Sequence, residues 1–307
     1  MKFAGDSAPQ LPSTLSGMAG RHNAGWWRWL RLLRPLRRRA LHSQLENAGC
    51  VIVVSLGLFA CQAKLDAGDF CVQDAGTSAQ TSADQAIPLP WSTSFENGFC
   101  DYSGPAGYCY GVPNATRAIV SSQHHLGRYS AEFTVNSDDP NAQQTRCVRQ
   151  GILPTVGYYS AWYLLPNTVT TTGNWNLWFF QGGDNASAPL HPLLNVTLIN
   201  GSNGDLELIA FSPLGAGLLR APTPIPVPIG SWFQIELFLK RASDNTGELS
   251  LYQNGVQLFD KTNLVTDDST FSRWFVGNLS TPQATPADST VYVDDVSISA
   301  TLTSATP

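Results

Sequence analysis

The sequence predicts an all-β protein, two antiparallel sheets packed as a sandwich behind a basic leader. Three observations carry this. Only 13% of the 307 residues are charged, while 26 are Gly and 20 are Pro, a composition of many turns around an apolar core. From Trp91 onward about a dozen short runs rich in aliphatic and aromatic residues are separated by turn residues, the spacing of a sandwich or barrel. None of these runs holds a helical period over ten residues.

The leader comes first. Up to Cys61 there are eight Lys and Arg against two acids, whereas residues 62–307 carry 10 Lys and Arg against 21 Asp and Glu, a net charge of −11. "RPLRRRALHSQ" followed by the apolar "CVIVVSLGLFA" has the basic and hydrophobic regions of an export signal. The apolar run is too short to span a bilayer. Its end, "LFAC", resembles the lipobox of bacterial lipoproteins, which implies a lipid on Cys61; ordinary cleavage nearby would leave Cys61 a thiol. "GWWRWLRLLRPLRRR" also has the Trp and Arg of a membrane-surface helix, interrupted by Pro35. Residues 62–88, rich in Ala, Ser, Thr, Asp, Gln and Gly, read as a flexible tether. The domain is expected over 89–301, with a short tail at 302–307.

Export makes Cys71, Cys100, Cys109 and Cys147 disulfide candidates with three pairings. The Gly and Pro of "FCDYSGPAGYCYG" favour Cys100 with Cys109, leaving Cys71 with Cys147; the rival pairing joins Cys147 to Cys100 or Cys109.

The strand candidates follow in order: "STSFENGF", "SAEFTVNS", "TRCVRQGI", "YYSAWYLLP", "WNLWFFQ", "LLNVTLI", "DLELIAF", "WFQIELFLK", "GELSLYQ", "VQLFD", "SRWFVGN" and "VYVDDVSIS". Asn254-Gly255 between two of them signals a tight hairpin. In "SWFQIELFLK", Phe233, Ile235, Leu237 and Leu239 share a core face, and Gln234, Glu236, Phe238 and Lys240 a wet one. In "TRCVRQ", Arg146, Val148 and Gln150 share one face and Thr145, Cys147 and Arg149 the other.

"SFENG", "YYSAWYLLP", "PIGSWFQIELFLKRASDNTGELSLYQNG" and "VYVDDVSIS" together resemble the concanavalin A-like jelly rolls. More narrowly they resemble bacterial extracellular proteins related to heparin lyase I and the alginate and glucuronan lyases. The resemblance implies a curved sheet whose groove holds a glycan. It also implies a Tyr or His that takes the C5 proton of a uronate, with an Arg or Gln quenching the carboxylate. Arg146 takes the Arg position of the lyases' Arg-X-Glu strand, with Val148 where Glu would stand. Gln181 matches their groove-facing Gln, and His191 is the histidine of the central region. His124 and His125 read as surface-loop residues.

Glycan contacts are expected from Arg146, Arg149, Gln181 and the aromatic cluster Tyr159, Trp162, Tyr163, Trp175 and Trp178, although sandwiches also bury aromatics. Glu96 and Asp294 match the positions of a structural Ca²⁺ in sandwich relatives; backbone amides around Asp294 are the alternative. No Glu-X-Asp-X-Glu run, Gly-X-Ser-X-Gly elbow, His-Glu-X-X-His, phosphate loop or zinc spacing is present. The acidic balance disfavours nucleic acid and, at long range, heparin-like or alginate-like polymers, and favours a neutral glycan or none. The sequence thus reads as an exported, lipid-anchored, monomeric glycan-binding sandwich. A polyuronate lyase and a surface adhesion module are the alternatives.

Overall fold

The structure, a computed structural model, describes residues 86–302 apart from 174, 268 and 281–283. In chain order the strands are β1 (Trp91–Thr93), β2 (Gly107–Gly111), β3 (Thr116–Val120), β4 (Ser130–Asn136), β5 (Gln144–Gly151) and β6 (Val156–Leu164). Then come β7 (Thr170–Thr171), β8 (Trp175–Gly183), β9 (His191–Asn200), β10 (Leu206–Ser212), β11 (Gly217–Arg220) and β12 (Trp232–Lys240). The last are β13 (Gly247–Gln253), β14 (Val256–Leu264), β15 (Phe271–Ser280), β16 (Ala284–Thr285) and β17 (Asp288–Ser299).

Two antiparallel sheets form a jelly-roll sandwich. One runs β14-β13-β12-β6-β17-β4-β3, with β1 also on β17; the other runs β11-β10-β9-β8-β15-β5-β2. β7 and β16 make a separate ribbon. The tether's last residues already belong to the domain: Ala86 bridges Ile152, and Ile87 is buried. The leader with Cys61, and Cys71, lie outside the described residues.

Alternation builds the core between the sheets. Phe233, Ile235, Leu237 and Leu239 of β12 are all in it. Their alternates Gln234 and Glu236, expected to be wet, are buried too. Trp162 and Tyr252 stand opposite them in register, and Gln234 Nε2 donates to Ser160 Oγ at 2.9 Å. Large rings on neighbouring strands shield polar groups that the strand's own pattern would leave in water. The turn at Asn254-Gly255 has φ of 50° and 75°, the two positive values that a tight hairpin requires.

β17 departs from simple alternation. A bulge between Asp294 and Ser297 shifts its register against β6, so Val291, Val293, Val296 and Ile298 all reach the core. Asp294 itself lies opposite Trp162. Asp295 supplies the left-handed residue, φ 45°.

The favoured cysteine pairing is also corrected. Cys109 is bonded to Cys147, the rival arrangement, because "GYCYG" is a strand rather than a loop and pairs with β5 so that the two cysteines stand directly opposite. Cys100, in a short 3₁₀ turn, is disulfide-bonded as well.

Candidate functional site

The bridge between Cys109 and Cys147 fixes which side chains leave the core. Because both cysteines pack with it, alternation turns Tyr108 and Tyr110 of β2 and Arg146 and Val148 of β5 to the outer face of the seven-stranded sheet. Tyr110 stands opposite Arg146, which in turn stands opposite Gly277 of β15. At Gly277, φ 142°, a Cβ would come within 2.7 Å of the Thr145 carbonyl oxygen and 2.9 Å of Arg146 Cα. With no side chain there, Arg146 lies across β15, its guanidinium carbon 5.8 Å from the ring centres of both Phe179 and Phe275.

A residue from the opposite sheet holds this crossing in place. β15 is bulged against β8 between Val276 and Leu279. Tyr163 of β6 donates its hydroxyl to the Leu177 carbonyl at 3.2 Å and accepts the Gly277 N–H at 3.3 Å. Tyr163→Phe leaves both backbone groups buried and unpaired, so a loss of roughly 1–3 kcal/mol is expected in urea unfolding.

Arg146 is only 1% exposed, yet its Nε and Nη2 have no hydrogen-bond partner. Burial pulls its pKa below the ordinary arginine value, with Tyr110 and Tyr163 acting in the opposite sense. A buried cation without a counter-charge is costly. Next to it on the same face, Asn176 Oδ1, Asn195 Oδ1 and Thr197 Oγ1 are also buried without partners. Register joins them: Asn176 pairs with Thr197, and Phe179 pairs with both Phe275 and Asn195. Folded proteins satisfy nearly all such atoms, so a row of such side chains marks a surface shaped for something else. Tyr108, Tyr110, Phe179, Gln150, Gln181 and Arg273 at its border are half-buried and reach solvent.

A family model described as polysaccharide lyase matches residues 113–297. The chain belongs to the polysaccharide lyase family. No curated protein matches it. Among solved structures it is similar to the endo-β-1,4-glucuronan lyase from the fungus Trichoderma reesei, with a TM-score of 0.52 and 18% identity over 69% of this chain and 96% of that one. It is similar also to the marine PL-14 alginate lyase from Aplysia kurodai, with a TM-score of 0.50 and 12% identity over 68% of this chain and 97% of that one. At these identities the likeness is one of fold.

In this member of the polysaccharide lyase family the expected trio does not converge. Gln181 shares the Arg146 face, but it stands in register with Arg273 and Gln150, four residues along from the Arg146–Gly277 pair, about 13 Å along the strands. His191 pairs with Gly182, one residue past a bulge, and so lies on the side of the strand opposite Gln181. Trp175, Trp178 and Tyr159 are in the core: Trp175 Nε1 donates to Asn278 Oδ1 at 2.8 Å, Trp178 packs edge-on against Trp274, and Tyr159 packs against Phe180. Arg149, on the Cys147 side, sits 4.6 Å from the Trp91 ring centre and donates to the Asp101 carbonyl at 3.4 Å. Sequence reasoning missed Tyr110, Asn176, Asn195 and Thr197. The signal for two of them was there, since Asn195 and Thr197 alternate with the core residues Leu194, Val196 and Leu198.

Trp162 faces outward on the other sheet. His125, in the loop ahead of β4 as expected, stacks on it at 3.7 Å and places Nδ1 2.7 Å from Asp295 Oδ2. Asp294 and Glu96 hold the same loop. Asp294 Oδ2 accepts the His125 N–H at 2.9 Å, and Glu96 Oε1 accepts those of Arg128 and Tyr129 at 2.7 and 3.0 Å. Both carboxylates thus accept backbone amides. Among the described residues no group of three or more His, Cys, Asp and Glu is placed to hold a metal ion.

Burial, helped by the charge of Asp295, pushes the Asp294 carboxyl up to about 7. Because this lies above the ordinary aspartate value of about 3.9, the stabilising, protonated form is fully present below that value. Its contribution is lost as pH rises toward 7. A melting series from pH 4 to 8 should therefore fall more steeply for the natural protein than for Asp294→Asn.

Proposed function

We propose that this chain is a lyase that cleaves a uronic-acid polymer by β-elimination on the outer face of the seven-stranded sheet. The observation that carries this reading is the buried Arg146 guanidinium with two nitrogens unspent. A uronate carboxylate is the planar anion that fits it. Quenching that carboxylate stabilises the enolate-like intermediate formed when the C5 proton leaves. The electron pair of the C5–H bond becomes the C4–C5 double bond, the C4–O bond breaks, and the departing oxygen takes up a proton.

Tyr110 is placed for the proton. It stands opposite Arg146, its hydroxyl donates to Gln144 Oε1 at 3.4 Å, and its half-buried ring borders the face. Burial raises its pKa above 10 while Arg146 lowers it. The reactive phenolate is therefore scarce at neutral pH, and kcat/KM should climb between pH 7 and 9. Tyr110→Phe is expected to cut kcat by roughly 10²–10⁴; an unchanged rate would remove Tyr110 from the chemistry.

The deciding experiment is ultraviolet absorbance of the new C4–C5 double bond across a panel of uronic-acid polymers. A flat trace on all of them sinks the lyase reading. One observation favours a second reading, glycan binding without turnover: Val148 occupies the position of the lyases' Glu, and no histidine of β9 shares the Arg146 face. Retained binding with a flat trace would establish it.

Export and lipid anchoring are proposed from the basic leader, the apolar run and "LFAC". Cys61→Ser should move the protein from the membrane fraction to the soluble one.

A further inference from the structure

We propose that Tyr163, a core residue that substrate does not reach, is a positioning residue for Arg146. Together with Asn278 it fixes the β15 bulge from behind and so holds the guanidinium where a uronate carboxylate meets it. This rests on the lyase reading of the outer face and adds to it a component inside the sandwich.

The bulge supplies the geometry. Between Val276 and Leu279 two residues of β15, Gly277 and Asn278, oppose the single Leu177 of β8, so the ladder between these strands lacks a rung there. The Tyr163 hydroxyl fills the gap by accepting the Gly277 N–H at 3.3 Å and donating to the Leu177 carbonyl at 3.2 Å. A water could span the same two groups, but the tyrosine is rooted in β6 of the opposite sheet. Asn278 makes a second tie. Its buried amide donates to the carbonyls of Phe133 in β4 and Ser289 in β17 at 3.1 and 3.0 Å, and accepts Trp175 Nε1 at 2.8 Å. Two consecutive residues of β15 are thus anchored to the other sheet at the point where they part from β8.

Arg146 depends on that anchoring. Its Nε and Nη2 have no hydrogen-bond partner to hold them, and its stem lies on the bulged backbone instead: a Cβ at Gly277 would come within 2.9 Å of Arg146 Cα and 3.3 Å of its Cγ. Any shift of Gly277 therefore carries the stem and the guanidinium with it. Tyr163 itself takes no part in proton transfer. It is wholly buried, and burial holds its hydroxyl far above the ordinary tyrosine value, so it stays a neutral bridge across the working pH range. Misplacing a charge-stabilising group by about 1 Å costs on the order of 10²-fold in rate even when the mutation lies far from the chemistry.

The test compares Tyr163→Phe, which removes one oxygen, with a core control on β13, Leu251→Ala, where the leucine is wholly buried. Both are measured in the full-length protein by uronan turnover and by NMR of nitrogen-15-labelled arginine side chains, the Arg146 Nε–H signal being assigned from its loss in Arg146→Met. Tyr163→Phe should lower kcat roughly 10–10²-fold, change KM by less than about threefold and shift the Arg146 signal. Leu251→Ala should melt at a lower temperature, as a core truncation does, yet leave turnover and the signal unchanged. An unmoved signal or an unchanged kcat in Tyr163→Phe overturns the inference, as does an equal loss of kcat or a shared shift in both variants. If the natural protein turns over no uronan, the lyase reading falls by itself and the Arg146 signal alone decides: a shift confined to Tyr163→Phe upholds the positioning, and no shift refutes it.

Discussion

Arg146→Met should abolish double-bond formation and at the same time stabilise the protein. The activity loss is expected to be on the order of 10²–10³ or more, the size seen when a preorganised charge-stabilising donor is removed. The gain in stability follows from the same atoms: the guanidinium is 1% exposed with Nε and Nη2 unpaired. Exchanging an uncompensated buried charge for an apolar chain of similar length is worth roughly 1–4 kcal/mol. Between the Phe179 and Phe275 rings methionine finds apolar neighbours on both sides. In a domain of this size that shift raises Tm by roughly 2–4 °C per kcal/mol. Calorimetric melting and the ultraviolet assay, run on the same preparation, separate the two effects. A variant that loses activity by unfolding would show the arginine to be a structural tie and not a substrate contact.

The second large effect is expected from the disulfide. Cys109 and Cys147 close a separation of 38 residues, for which loop-closure entropy gives about 4 kcal/mol. Replacing both by Ala should lower Tm by roughly 10 °C, and adding a reductant to the natural protein should do at least as much. Activity should fall further than stability alone explains. β2 is the edge strand of its sheet and carries Tyr110 beside Arg146, so the bridge also fastens the residue proposed to take the proton to its neighbour. Equal melting with and without reductant would refute this.

Much of the fold was legible because alternation is a local property. β4, β5, β8, β9, β10, β12, β13, β15 and β17 all overlie runs that read as strands, and the Asn254-Gly255 hairpin stands where its dihedral demands put it. The losses were local too. β2 was hidden by the Gly and Pro ahead of "GYCYG", which look like a loop. Missing that strand inverted the disulfide pairing and hid Tyr110.

The site was legible only in part. Strand period alone placed Arg146, Val148 and Gln150 on one face and Arg149 on the other. The aromatic cluster could not be sorted that way, because both faces of a sandwich strand accept large rings: Trp175, Trp178 and Tyr159 went to the core and Trp162 to the far surface. Gln181 and His191 were placed by bulges in β8 and β9, single-residue register shifts that depend on which strands pair.

By itself, then, the sequence determined the all-β sandwich, the two-faced strand around Cys147 and the acidic balance that goes with it, since these follow from residue type and a period of two. Only the tertiary structure decided that Arg146 is buried and unpaired, that Gly277 makes room for it, and that Asn176, Asn195 and Thr197 stand near it. Those facts depend on registers between strands far apart in the chain, and burial without a partner is a property of the whole neighbourhood rather than of any residue in it.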